Sequence, residues 1–101
     1  MELTSKQRAG LRSMAHSLKP IFQVGKEGVS EVLAKEVLAA LNKRELIKIT
    51  VLETAGDPRE VAELLASMTG AQVVAVTGFK VVLYRRADDE ANRKIDLRQL
   101  F

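Results

Sequence analysis

Two stretches of this chain carry residues whose types and spacing suit gripping a polyanion rather than making or breaking bonds. The first is Gly25-Lys26-Glu27-Gly28. Glycine lacks the Cβ that holds a ligand off the backbone, so two glycines bracketing two polar residues let main-chain N–H groups come close to a phosphate. A helix starting just beyond turns its unpaired N–H groups toward the same anion, and Lys26 adds a mobile positive charge. The second stretch precedes the loop. At 100° per residue, Arg8, Arg12, His16 and Lys19 fall within one arc, and no Asp or Glu occurs between residues 3 and 23. A solvated helix face usually mixes charge signs, so this row and the loop read as one continuous basic surface. Each feature taken alone has a plainer reading: a turn that needs glycine for its backbone angles, and an ordinary solvated helix face.

Weaker candidates lie elsewhere. His16 can contact a nucleic acid or serve structure. Phe79 and Lys80 offer a stacking ring and a phosphate contact, with a core plug as the alternative for Phe79. Arg85 and Arg86 can bind phosphate or pair with Asp88, Asp89 or Glu90. Tyr84 is expected in the core with its hydroxyl at the rim. Catalysis finds little to work with. His16 is the single histidine and cysteine is absent, which removes thiol chemistry and makes zinc ligation improbable. No serine sits in a Gly-x-Ser-x-Gly turn, and neither a Walker loop nor a Gly-x-Gly-x-x-Gly fingerprint occurs. Glu31, Glu36, Glu60 and Glu63 fall on expected solvated helix faces. The chain therefore reads as no enzyme, with no cofactor, no metal and no small-molecule substrate.

The elements that must position these residues can be read from spacing. Thr4-Ser5-Lys6-Gln7 forms a capping box, and Leu11, Met14, Ala15 and Leu18 recur at helical spacing, giving a helix over about residues 5–18 that Lys19-Pro20 ends. Residues 21–24 make a short strand leading into the loop. Ser30 caps a second helix with Leu33, Val37, Ala40 and Leu41 on one face. Residues 45–52 read as a strand with Ile47, Ile49 and Val51 on one side, Lys48 and Thr50 on the other. Asp57-Pro58-Arg59-Glu60 starts a third helix, with Glu60 positioned to complete a box. Its buried stripe is Val61, Leu64, Leu65 and Met68, and Gly70 ends it. Strands at residues 72–76 and 80–85 flank Thr77-Gly78-Phe79 as a hairpin. The order α-β-α-β-α-β-β predicts an α/β fold: a compact, single-layer, mixed four-stranded sheet packed with helices, with parallel pairs across the crossover helices. One domain is expected over residues 1–97. Residues 87–92 read as loose, within a partly extended tail over 87–101, where Lys94-Ile95-Asp96-Leu97 alternates enough to dock.

Composition sets the limits. The 101 residues are 47% hydrophobic, enough for a core without metal or disulfide. Sixteen Lys and Arg against thirteen Asp and Glu give a net charge of +3, a mild excess that matters only if clustered. Aromatics are few and Trp is absent, so a base-stacking sheet platform is poorly supplied. Apolar runs are far short of the roughly 20 residues that span a bilayer. Met1 leads at once into a charged helix start rather than a leader. A cytoplasmic protein, monomeric and without membrane contact, is the expectation.

Several fragments resemble one family in order and at compatible spacing. They are Leu3-Thr4 through Leu11-Arg12, Ala15-His16-x-Leu18-Lys19-Pro20, Gln23-Val24-Gly25-x-x-Gly28, Glu45-Leu46-Ile47-Lys48, Thr69-Gly70-Ala71 and Val82-Leu83-Tyr84-Arg85. Together they resemble the CRM domain, and the chain looks like its free-standing bacterial YhbY type from Leu3 to about Leu97. The resemblance implies a fold similar to the C-terminal domain of translation initiation factor three. It also implies association with precursors of the large ribosomal subunit; related plant domains serve group II intron splicing. The family's Gly-x-x-Gly RNA-binding loop carries over onto Gly25, Lys26, Glu27 and Gly28, and its basic first helix onto Arg8, Arg12 and Lys19. Glu27 departs by adding an acid to the loop. Phe79 departs by standing where relatives often place a basic residue. Both reduce local positive charge.

The expected function is phosphate-led, shape-based binding of structured rRNA with weak sequence preference, because phosphate contacts position a protein without reading bases. The rival is a protein-interaction module that uses the sheet face or the tail to hold a ribosomal protein or assembly factor. Duplex DNA ranks third, since no helix starts with base-reading Arg, Asn or Gln.

Overall fold

The structure, a computed structural model, describes residues 2–99. Met1, Leu100 and Phe101 lie outside the described residues, and with them the end of the expected tail. Helix α1 (Ser5–Ala15) opens on the reciprocal box: Thr4 Oγ1 accepts from the Gln7 N–H while the Gln7 side chain accepts from the Thr4 N–H. It stops sooner than its apolar spacing predicts. The His16 N–H turns to the Ser13 carbonyl and the Leu18 N–H to that of Ala15, so the chain leaves the helix before Pro20 can restrict it. Leu11 and Ala15 are buried, whereas Met14 and Leu18 remain 42% and 37% exposed at the stripe's edge.

Strand β1 (Phe22–Val24) leads through the glycine loop to α2 (Glu31–Arg44), where Ser30 Oγ accepts from the Leu33 N–H. Strand β2 (Leu46–Val51) and a short turn of 3₁₀ helix (Glu53–Ala55) come next. Helix α3 (Pro58–Thr69) has Pro58 in its first turn and ends at Gly70, left-handed at φ 76°. The Asp57 carboxylate takes the Arg59 amide rather than that of Glu60, so the expected box is not made. The buried stripe is also rotated. It comprises Val61, Ala62, Leu65 and Thr69, while Leu64 and Met68 are exposed. The small Ala62 and Thr69 let the helix seat closely, and the Thr69 hydroxyl satisfies itself on the Leu65 carbonyl at 2.7 Å.

Strands β3 (Gln72–Thr77) and β4 (Lys80–Tyr84) form the hairpin around Gly78-Phe79, with Gly78 at the positive φ that a two-residue turn demands. The sheet order is β1-β2-β4-β3. β1 and β2 pair in parallel across α2, as expected. The second crossover differs: β3 runs in the direction of β2 without touching it, because β4 returns through the hairpin to lie antiparallel between them. A bulge between Val73 and Ala75 turns both Val74 and Ala75 to the same side.

Both faces of this mixed sheet are covered. Ile47, Ile49, Val51, Val81 and Leu83 pack against α2 and α3 through Val37, Leu41, Val61, Ala62 and Leu65. Leu46, Val74, Val82 and Tyr84 pack on the opposite face against Leu3, Leu11 and Ala15, with Ile95 and Leu97 of the C-terminal segment beside them. The alternation that put Lys48 and Thr50 opposite Ile47 and Ile49 therefore sets them on the α1 side.

Glu45 holds the C-terminal segment in place. Read from sequence as the start of a strand, it is instead the residue that caps α2, at φ 65° and fully buried. A non-glycine residue there costs about 1–3 kcal/mol of backbone strain. Its carboxylate accepts from the N–H groups of Ala87 (2.9 Å), Lys94 (2.7 Å) and Ile95 (3.0 Å), and its carbonyl from the Arg85 N–H. Burial alone raises a carboxyl pKa, but the three backbone donors, aided by the Arg93 charge, hold it below its usual range. Residues 87–92 are consequently tied down rather than loose. Ala87 is buried, Asp89 accepts from the Ala91 N–H, and the Arg93 guanidinium donates to the Ala87 and Asp88 carbonyls.

Candidate nucleic-acid interface

The 25–28 loop is a tight turn, closed by the Gly28 N–H donating to the Gly25 carbonyl at 2.9 Å. Its two glycines differ in kind. Gly28 sits at φ 71°, which side-chain-bearing residues avoid. Gly25 is not left-handed, and a Cβ built there would meet Leu52 Cδ1 at an ordinary 3.6 Å. The fold therefore requires glycine at position 28 and does not require it at position 25. Lys26 and Glu27 are exposed.

The loop opens at one end of the sheet, and the hairpin turn shares that end. The Leu52 N–H bonds to the Val24 carbonyl and the Val51 N–H to that of Phe79, so Leu52 separates the loop from Phe79. Phe79 is 44% exposed, which rules out the core-plug alternative. Next to it, Lys80 Nζ donates to Thr50 Oγ1 at 2.9 Å across the β2–β4 pair.

Helix α1 crosses the strands rather than following them. Before its start, the Leu3 N–H reaches the Gln72 side chain at the β3 edge; beyond its end, the Ile21 N–H reaches the Lys48 carbonyl as the chain enters β1. One flank of the helix faces the C-terminal segment: Gln7 Nε2 lies 3.5 Å from the Leu97 carbonyl, and Met14 lines a depression with Lys94 and Ile95. That segment occupies the sheet end holding Leu46, Tyr84 and Gln72, which are neighbours in register. The other flank, with Arg8, Arg12 and His16, thus turns toward the end holding Thr50, Lys80 and Thr77. Between the helix and the loop lies a strip of sheet bearing Gln23, Lys48, Thr50, Thr77 and Lys80, polar throughout.

The arrangement brings together Arg8, Arg12, His16, Lys80, Phe79 and the loop residues Gly25, Lys26, Glu27 and Gly28. Lys19 lies beyond the helix end, so projection does not place it; it is exposed beside Lys48 in the turn into β1. Arg85 stands apart, at the far end of β4, and its guanidinium is engaged by Asn42 Oδ1 at 2.8 Å and Asp88 Oδ1 at 3.1 Å. Among the described residues the ion pairs are Arg85–Asp88 and Arg98–Asp96, so the cations of the α1 row and the loop form no ion pair there. Sequence reasoning set Lys48 and Thr50 on the correct side of β2 but left them out of the site. The alternation was the available signal; what it lacked was the direction in which α1 crosses, which decides how much of that face stays open.

Chemically, this is a surface of cations, hydroxyls and an accessible turn. Among the described residues no group of three His, Asp or Glu side chains is arranged to hold a metal ion, and no helix is long and apolar enough to cross a membrane.

The chain is similar to a known domain family and to known proteins. The CRS1 / YhbY (CRM) domain model matches residues 3–85. "Probable RNA-binding protein YqeI" of Bacillus subtilis is 45% identical over 96 residues, covering 94% of this chain and 98% of that protein. "Probable RNA-binding protein MJ0652" of Methanocaldococcus jannaschii is 45% identical over 87 residues, 83% of this chain and 64% of the archaeal protein. The solution structure of a hypothetical protein from Staphylococcus aureus superposes with a TM-score of 0.77 at 40% identity, covering 94% of this chain and all of that one.

Proposed function

The chain belongs to the CRS1 / YhbY (CRM) domain family, and from that premise we propose that it is a non-catalytic protein that docks on the structured rRNA of large-subunit precursors during ribosome assembly. The observation that carries the reading is the turn of the Arg8–Arg12 flank of α1 toward the sheet end where the 25–28 loop opens. A folded RNA laid on that surface meets cations on one side and a glycine turn on the other, with Lys48, Lys80 and the threonine hydroxyls between. All of these contact sugar and phosphate rather than base edges, so recognition follows backbone shape. Gly25 lets the loop close onto a phosphate where the fold itself has no need of glycine.

The rival, an apolar docking module on the sheet face or tail, has less to use. The open strip is polar, and Ile95 and Leu97 of the tail are half-buried against the core. Crosslinking the protein to RNA in cells and sequencing the attached fragments tests the proposal. Reads should concentrate on large-subunit rRNA and its precursors, and an Arg12→Ala/Lys26→Ala variant expressed at equal level should lose most of them. Reads spread evenly over cellular RNA contradict the assembly role.

A further inference from the structure

At the opposite end of the sheet the C-terminal segment builds a second cationic surface, almost wholly beyond the stretch that defines the family, which stops at residue 85. A depression of about 540 Å³ there is lined by four cations, Arg86, Arg93, Lys94 and Arg98, around the apolar Ile95 and Leu97 and the edge of Tyr84, with Asp96 as its one acid. Arg44 and Lys94 line a smaller depression on the α1 side. Asp96 is already matched by Arg98, through contacts of 3.1 and 3.2 Å. Arg93 is half used, its Nε and one terminal nitrogen donating to backbone carbonyls. Among the described residues, Arg86 and Lys94 have no side-chain hydrogen-bond acceptor and no ion-pair partner.

Gathering like charges in a concave place is unfavourable unless something opposite fills it. The chain nevertheless holds them firmly, because the buried Glu45 carboxylate pins the backbone N–H of Lys94 and Ile95 from beneath. Rigid backbone under mobile cationic heads lowers the entropy lost when an anion binds. The floor offers no stacking platform, since Tyr84 is only 2% exposed, so the ligand is held by its charges rather than by its bases.

We propose that this depression grips a second sugar-phosphate segment of the same folded RNA, so that the protein clamps two backbone stretches, one at each end of its sheet. The proposal rests on the RNA-binding reading above and extends its footprint. A folded RNA presents phosphates on more than one side, whereas a short single strand held at the glycine loop has nothing to offer the far end.

An Arg86→Gln/Lys94→Gln variant, compared with the unaltered protein, tests it by fluorescence anisotropy on a large-subunit rRNA fragment over a salt series. Loss of two phosphate contacts should weaken binding on the order of tenfold and make the log–log salt slope shallower by about 1.5, at an unchanged melting temperature. A uridine hexanucleotide should bind both proteins equally. Photocrosslinking of the unaltered protein to the same fragment gives an answer independent of any variant: peptides containing residues 86–98 should carry RNA beside those from the loop. If the unaltered protein binds the fragment while the variant keeps its affinity and slope and no crosslink maps to residues 86–98, the second grip is wrong and the first stands. If the unaltered protein binds no RNA, the functional reading fails and takes the clamp with it.

Discussion

At the scale of single residues, the loop's two glycines differ in what folding asks of them. Gly28 lies at φ 71°, so Gly28→Ala should cost roughly 1–2 kcal/mol of stability from the left-handed backbone alone. Gly25 has neither a left-handed φ nor a clash awaiting a Cβ, so Gly25→Ala should leave the chemical denaturation midpoint within experimental error while weakening RNA affinity several-fold. A Gly25→Ala protein that binds RNA normally shows that close backbone approach is not part of recognition. The loop itself was legible in the sequence, because two glycines around two polar residues leave little else to form. The difference between the glycines was not, since it depends on which of them takes the left-handed φ of the turn, and the spacing alone does not say which. Phe79 was likewise left open between core and surface, and its place in the folded hairpin turn, 44% exposed, sets it at the rim.

At the scale of elements, capping chemistry and strand alternation carried most of the reading. Thr4, Ser30, Asp57 and Gly70 end their helices as their types demand, and Ile47, Ile49 and Val51 face one core while Lys48 and Thr50 face away. Alternation of local signals failed where long-range partners decide. The α3 stripe rotates toward Ala62 and Thr69 because small side chains approach a sheet more closely than Leu64 and Met68 can. Glu45 caps α2 because its carboxylate is claimed by amides more than forty residues away. Glu45→Ala should therefore destabilise the protein by about 3 kcal/mol or more, since it leaves three backbone N–H groups without their acceptor. The pH dependence has a definite sign. A carboxyl whose folded pKa is lowered contributes stability above its unfolded value and loses it as pH falls through the folded one. Denaturant titrations should show stability declining below the ordinary carboxylate range, with a shallower decline in Glu45→Gln. An equal decline in both proteins assigns the acid sensitivity to other groups.

At the scale of the whole molecule, the α/β class and the order of elements followed from the alternating pattern, and the first parallel pair with them. The placement of β4 between β2 and β3 did not, because a hairpin can return on either side of its partner and no local residue says which. That placement sets Lys48 and Lys80 on neighbouring strands, and the crossing of α1 leaves that part of the face open, so the proposed surface exists only once the chain is folded. In the proposed function the α1 flank and the 25–28 loop act as one surface on an RNA backbone. The most direct test of that claim is the salt dependence of rRNA-fragment binding by the unaltered protein and by Arg12→Ala/Lys26→Ala. Four or five phosphate contacts at this surface give a log–log slope of roughly −3 to −4, steeper still if the tail depression engages the same RNA. The double variant should lose about 1.5 of that slope and on the order of tenfold in affinity, with its melting temperature unchanged. Affinity and slope identical in the two proteins contradict the claim and move the site off this surface.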